Sequence, residues 1–276
     1  MKKKLLAALI LLFSLSPAFS QTTKPEKIRV MYATINATVS QLWVAKESGI
    51  FRRNGLDVDL LYGAQRTIES LIAGELSFVE IAGPVPIAAR LAGADLVLLT
   101  ASINAFPFSF MVLPDIGSPE GLKGKVLGVT RFGASSDVAL RMVLQKKGID
   151  SNKDVTIISA GGFQELYTAM ENRTIAGALF GPPILTLLKT DREFSIKVIS
   201  KYTKVTSKSV LDDAYNFYAV NYIRKVPMPS VTGVKTILEQ MALKDSRAKT
   251  ANPDDFVDSR YIDELEKSGF LRSLYK

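Results

Sequence analysis

Short apolar, β-branched runs alternate along this chain with stretches whose apolar positions recur at helical spacing. Ile28 to Thr34, Asp57 to Tyr62, Phe78 to Ala82 and Val97 to Ser102 read as strands. Between them, Val39 to Ser48, Thr67 to Ala73 and the segment from Gly83-Pro84 to Leu91 read as helices, punctuated by Gly49, Gly55 and Gly74. Strands separated by single helices of this length predict βαβ units and a mainly parallel sheet, an α/β architecture.

A second series follows the same rhythm. Phe108 to Leu113 looks extended and Gly117-Ser118-Pro119 is a turn. Val126 to Thr130, Val155 to Ser159 and Ala176 to Phe180 read as strands, and Ser136 to Lys147 and Gln164 to Glu171 as the helices between them. No sequence repeat relates the two series. After Gly181-Pro182-Pro183 the pattern turns helical. Thr190-Asp191-Arg192-Glu193 has the form of a capping box, in which the Thr190 hydroxyl accepts from the Glu193 amide. Phe194, Val198 and Tyr202 recur at four-residue spacing, although Ile196 and Val198 also fit a strand. Leu211 to Tyr222, Val231 to Leu243 and Asp258 to Lys267 are expected as further helices, with Asn252-Pro253 and Ser268-Gly269 as start and stop signals.

Residues 1–20 stand outside this pattern. Lys2, Lys3 and Lys4 precede an almost unbroken apolar run from Leu5 to Leu15, and Ala18 and Ser20 supply small residues at −3 and −1 before Gln21. The run is too short to span a membrane and reads as a cleavable export signal. The expected location is therefore periplasmic.

Composition then narrows the chemistry. The formal charge is +8, three of those charges lie in the leading segment, and the rest are spread without a basic block, so no nucleic-acid partner is expected. With no Cys among 276 residues, disulfides, a thiol nucleophile and a lipid-modified cysteine are all excluded. With no His, the commonest general base and a principal zinc ligand are missing, which disfavours hydrolase triads and zinc sites. Neither GxxxxGK[ST] nor GxGxxG occurs. The expectation is a protein without a cofactor or metal, and not an enzyme.

In open α/β sheets ligands lie beyond the carboxyl ends of the strands. Those positions hold Asn36 and Thr38, Gln65, Gly83-Pro84, Arg131 with Gly133, Ser135 and Ser136, Gly162, and Phe180. Most are small or polar, which lets backbone amides approach a ligand. The stretch from Thr130 to Asp137 is the best single candidate. A strand ends, Arg131 offers a bidentate cation, and Gly133-Ala134-Ser135-Ser136 opens a helix whose amides favour an anion. Against it, Ser135 or Ser136 serves equally well as a plain helix cap, and the Asp137 carboxylate competes for the same amides. Phe132, Phe163 and Phe180 suit core packing better than stacking on a solute.

The residues also carry a resemblance. Leu42-Trp43-Val44-Ala45-Lys46-Glu47-Ser48-Gly49-Ile50-Phe51, then Asn54-Gly55-Leu56-Asp57-Val58, is similar to the opening of solute-binding proteins of the nitrate/sulfonate/taurine type. These are related to binding proteins for the thiamine pyrimidine precursor. Leu122-Lys123-Gly124-Lys125-Val126-Leu127-Gly128-Val129 resembles the family's second-lobe start. Lys225-Val226-Pro227-Met228-Pro229, Pro253 to Asp258 and Ser268-Gly269-Phe270 resemble one branch of it.

The resemblance implies a two-lobed type II periplasmic-binding-protein fold, its lobes closing on a small molecule that an inner-membrane ABC permease then receives. It places one lobe in residues 27–105 and 190–276 and the other in residues 106–189. A monomer is expected. One departure is visible: Ile184 to Leu188 runs almost directly into Thr190, so a segment of the family's second lobe is missing around Leu188-Lys189. Two alternatives stay open, an enzyme on the same fold (pyrimidine-precursor or menaquinone-pathway type) and a truncated binding module with a signalling or lost role.

Overall fold

The computed structural model describes residues 24–35, 37–63, 66–180, 192–212, 222, 224 and 226–273. Its first sheet is built from β1 (Glu26–Tyr32), β2 (Leu56–Tyr62) and β3 (Phe78–Glu80), all parallel in the order β2-β1-β3. Alternation along β1 sends Val30 and Tyr32 into the interior, as a half-buried strand requires. Helix α1 (Ser40–Glu47) and the single turn α2 (Ile50–Arg53) cross from β1 to β2, and α3 (Thr67–Ile72) crosses from β2 to β3. A 3-10 turn, Ala37–Val39, precedes α1 where a continuous helix from Val39 was expected. Helix α4 (Pro84–Leu91) follows β3, with the buried Pro84 at its first position, where the missing N–H costs nothing.

The second sheet is formed by β4 (Ser109–Val112), β5 (Val126–Val129), β6 (Thr156–Ser159) and β7 (Gly177–Phe180), in the order β4-β7-β5-β6. β5 is parallel to β6 and β7, while β4 runs antiparallel on the edge. Helices α5 (Ser135–Lys146) and α6 (Phe163–Glu171) make the crossovers. Gly128, in the middle of β5, is required by packing: a Cβ there would lie 2.5 Å from Leu166 Cδ2 and 2.6 Å from Ile175 Cδ1.

Each sheet has its own core. Tyr32, Val39, Trp43 and Val44 pack with Val198, Ile199 and Leu211, so α7 (Arg192–Thr203) returns to cover the first sheet. Burial of Val198 and Ile199 decides for helix over the strand that Ile196 and Val198 also allowed. A second cluster joins Ile87 of α4 to Val234 and Leu238 of α8 (Val231–Met241) and to Phe256. Under the other sheet lie Leu122, Leu127, Val129, Leu140, Leu144 and Leu179, with Leu166, Ile175 and Ala178 beneath α6. Helix α9 (Arg260–Lys267) is followed by Gly269.

One expected strand is absent. Val97 to Ser102 forms only an isolated bridge, Leu98 to Val257. Its backbone bonds go to different segments: Leu98 N donates to Phe256 O and Ala101 N to Pro227 O, both at 2.9 Å, and Arg224 N donates to Ser102 O at 3.3 Å. A ladder needs one neighbour running alongside, and here the partners are scattered. The Thr190 capping box, most of the helix expected from Leu211 to Tyr222, and the shortening expected near Leu188-Lys189 lie outside the described residues.

Candidate functional site

Of the residues expected to meet a ligand, Asn36 and Gln65 lie outside the described residues. The others gather at the carboxyl ends of the two sheets. Beside the first sheet, Thr38 sits half-buried in the 3-10 turn before α1, and Gly83 and Pro84 open α4. Beside the second, Arg131, Gly133 and Ser135 follow β5, Gly162 precedes α6, and Phe180 ends β7. The β5 and β6 ends are stitched together at Thr130, whose carbonyl accepts from Ser159 Oγ at 3.0 Å and Gly161 N at 3.1 Å. Helix α5 connects the sheets, touching α4 and α8, and Gln240 Nε2 donates to Gln145 Oε1 at 3.0 Å.

The loop from Thr130 to Asp137 folds on itself. Ser136 is buried; its Oγ accepts from Thr130 N at 3.1 Å and lies 2.8 Å from Thr130 Oγ1. Asp137 Oδ2 accepts from Gly133 N at 2.9 Å, and Oδ1 accepts from Arg141 Nε at 2.8 Å. Gly133 adopts φ +77°, a left-handed turn that brings its amide back onto that carboxylate. Thus the carboxylate foreseen as a competitor for the start of α5 is engaged by Gly133, two residues ahead of the helix; among the described residues no side chain caps α5 itself, and the Ser136 hydroxyl is spent within the loop. At α6 the Glu165 carboxylate lies close to Gly162, its Oε2 2.6 Å from where a Cβ would stand, without a side-chain cap hydrogen bond. The guanidinium of Arg131, half-buried, makes no hydrogen bond or ion pair among the described residues.

The three phenylalanines divide. Phe163 lies between Phe108 and Phe180, with centroids 6.4 and 6.5 Å away, and all three belong to the packing under the second sheet. Phe132 is 55% exposed beside Arg131.

The residue-by-residue reading missed a polar cluster beside the first sheet. Glu80, the last residue of β3, accepts through Oε1 from Gln41 Nε2 at 3.1 Å, and Gln41 Nε2 also donates to Ser102 Oγ at 3.2 Å. Gln41 Oε1 is buried and has no hydrogen-bond partner among the described residues. Burial pushes the Glu80 carboxyl up to about 7, and the Gln41 hydrogen bond opposes this only in part. An acidic residue closing an otherwise apolar strand was the available signal. What brings Gln41 and Ser102 to it is tertiary.

Two lined hollows lie elsewhere. One of about 140 Å³ is walled by Phe106, Phe108, Met142, Val143, Lys146 and Leu179 on the flank of α5. The other is a shallow groove along α3 beside Arg66, Glu69 and Glu75.

A protein named "Putative binding protein YtlA" from Bacillus subtilis (strain 168) is 27% identical over 173 residues, 60% of this chain and 52% of that protein. The chain thus spans about half the length of the curated relative it matches. Among solved structures, the periplasmic aliphatic sulphonate binding protein SsuA from Escherichia coli superposes with a TM-score of 0.67 at 16% identity, over 85% of this chain and 92% of that one. The periplasmic nitrate-binding protein NrtA from Synechocystis PCC 6803 superposes with a TM-score of 0.66 at 14% identity, over 88% of each. At such identities the likeness establishes the fold, that of periplasmic binding proteins. Residues 36–185, more than half of the chain, match the model of one family, and on that match the chain belongs to the NMT1/THI5-like family.

Proposed function

We propose that this protein is the solute-capturing receptor of an ABC importer, exported to the periplasm by the cleavable segment in residues 1–20. In this reading residues 27–105 and 190–276 form one lobe and residues 106–189 the other. A small molecule is held between them, released unchanged to an inner-membrane permease, and no cofactor takes part. The observation that carries the reading is the pair of separately cored sheets, each ending in loops of small, polar and exposed aromatic residues. Rigid bodies of this kind can close on a solute by hinging, and closure is driven by contacts made only in the closed state.

The residues facing the solute are Arg131, Ser135 and Phe132 from one sheet and Thr38, Gly83, Gln41 and Glu80 from the other. The preference for an anion expected from sequence rests on Arg131 and on the start of α5, although the Asp137 carboxylate is bonded just ahead of that start, at Gly133 N.

A thermal-shift screen of the purified chain against sulfonates, nitrate, carboxylates, pyrimidines, amines and amino acids tests this. A receptor bound at one hundred times its Kd gains about 2.7 kcal/mol. A series in which no compound raises the melting temperature rejects the receptor role, and chemical conversion of a stabilising compound points to an enzyme instead. Arg131→Ala removes the stabilisation by acidic compounds if Arg131 holds them.

A further inference from the structure

Glu80, Tyr32 and Tyr62 stand in one register across the first sheet, Tyr32 paired with both of the others. Residues in register on parallel strands project to the same face, and two inter-strand steps make the row roughly 10 Å long. At one end Tyr62 is 52% exposed, its ring centroid 5.8 Å from that of Tyr32, and Ile35 beyond β1 is 48% exposed. At the other end the cluster holds more acceptors than donors. Both N–H groups of Gln41 are spent on Glu80 Oε1 and Ser102 Oγ, and Gln41 Oε1 has no donor among the described residues. A carboxylate accepts at about four lone-pair positions, and Gln41 fills one of them. Among the described residues no cationic side chain contributes to the environment of Glu80, where the two influences are burial and Gln41.

We propose that this row recognises a basic solute: a protonated amine or amidine nitrogen donates to the Glu80 carboxylate while the body of the solute lies over Tyr62 and Ile35. The inference rests on the receptor reading and specifies its solute class. An enclosed carboxylate lacking a counter-ion is costly, and a bound cation supplies that charge together with the missing donors. The exposed ring of Tyr62 favours a cationic or aromatic body by its electron-rich face. Free Glu80 holds its proton up to about pH 7, so capture of a cation expels that proton and weakens as the medium becomes more acidic.

The isosteric pair benzamidinium and benzamide tests this by calorimetric titration of the whole purified chain at pH 6 and pH 8, with methanesulfonate and benzoate as anionic arms. Benzamidinium is expected to bind at least tenfold more tightly than benzamide at pH 8. Its affinity should fall about tenfold at pH 6, with proton release visible as a buffer-dependent heat. Glu80→Gln is expected to abolish both the discrimination and the pH dependence; the wild-type comparison stands alone if that variant does not fold. Equal binding of the pair, an unchanged Glu80→Gln, or tighter pH-independent binding of the anions overturns the basic-solute assignment and leaves the receptor reading intact. Silence of cationic, neutral and anionic arms alike, together with a blank thermal-shift screen, removes both.

Discussion

The indole of Trp43 lies flat on the ring of Tyr202, centroids 4.9 Å apart and planes 7° from parallel. One residue comes from α1 and the other from the end of α7, so this stack fastens a late segment of the chain to the first sheet. Trp43 is fully buried, and Tyr202 Oη donates to Glu47 Oε1 at 2.9 Å beside the Lys201 ion pair. Tyr202→Ala should cost about 3 kcal/mol in urea unfolding, and Tyr202→Phe about 1 kcal/mol, the separate share of the hydroxyl. Equal losses would mean that the stack contributes nothing.

Glu80 makes stability depend on pH in an unusual direction for a carboxylate. Its folded value, about 7, lies above the ordinary 4.5. The contribution is fully present below pH 4.5, declines as pH rises toward 7, and is gone above that. The difference between the limits is about 3 kcal/mol. Glu80→Gln should flatten this decline, so that above pH 7 the variant equals or exceeds the wild type. Denaturant titrations from pH 4 to pH 8.5 measure it; parallel wild-type and variant profiles would refute the assignment.

Gly128 has no room for a side chain against Leu166 and Ile175. Gly128→Ala is expected to lower stability by about 1–3 kcal/mol through overpacking between β5 and α6. Shortening the obstruction with Leu166→Ala in the same chain should recover part of that loss, which a double-mutant cycle in urea reports.

Asp137 holds Gly133 N and Arg141 Nε together, with 9% of its side chain exposed. Asp137→Ala leaves a largely enclosed guanidinium without its partner and should cost about 3 kcal/mol. Asp137→Asn keeps an acceptor for the Gly133 amide and should cost less. Thermal melts of the two variants rank them, and the reverse order would show that the hydrogen bond to the Gly133 amide contributes nothing.

The extent of each element was legible wherever local chemistry set it. β5 ends one residue before its expected limit, α5 starts one residue early at Ser135, and Pro84 opens α4 as its fixed φ requires. Val97 to Ser102 misled because its apolar, β-rich residues satisfy any strand pattern, while pairing depends on what runs alongside. The helix start at Ser135 looked free to take an anion, and the sequence already carried the objection in Asp137. The left-handed turn at Gly133 shows where that carboxylate goes, to the Gly133 amide ahead of the helix.

The sequence alone determined the α/β alternation, the leading segment of lysines followed by an apolar run, the absence of histidine and cysteine chemistry, and the kinship carried by Leu42 to Val58 and Leu122 to Val129. These follow from residue type and from spacing within one element. Tertiary structure decided that Glu80, Gln41 and Ser102 meet, that Trp43 finds Tyr202, and that the Asp137 carboxylate turns back to Gly133. Such contacts join groups distant in the chain or turned back by a single backbone angle. Burial, which moves a carboxyl from 4.5 to about 7, exists only once the chain has closed around it.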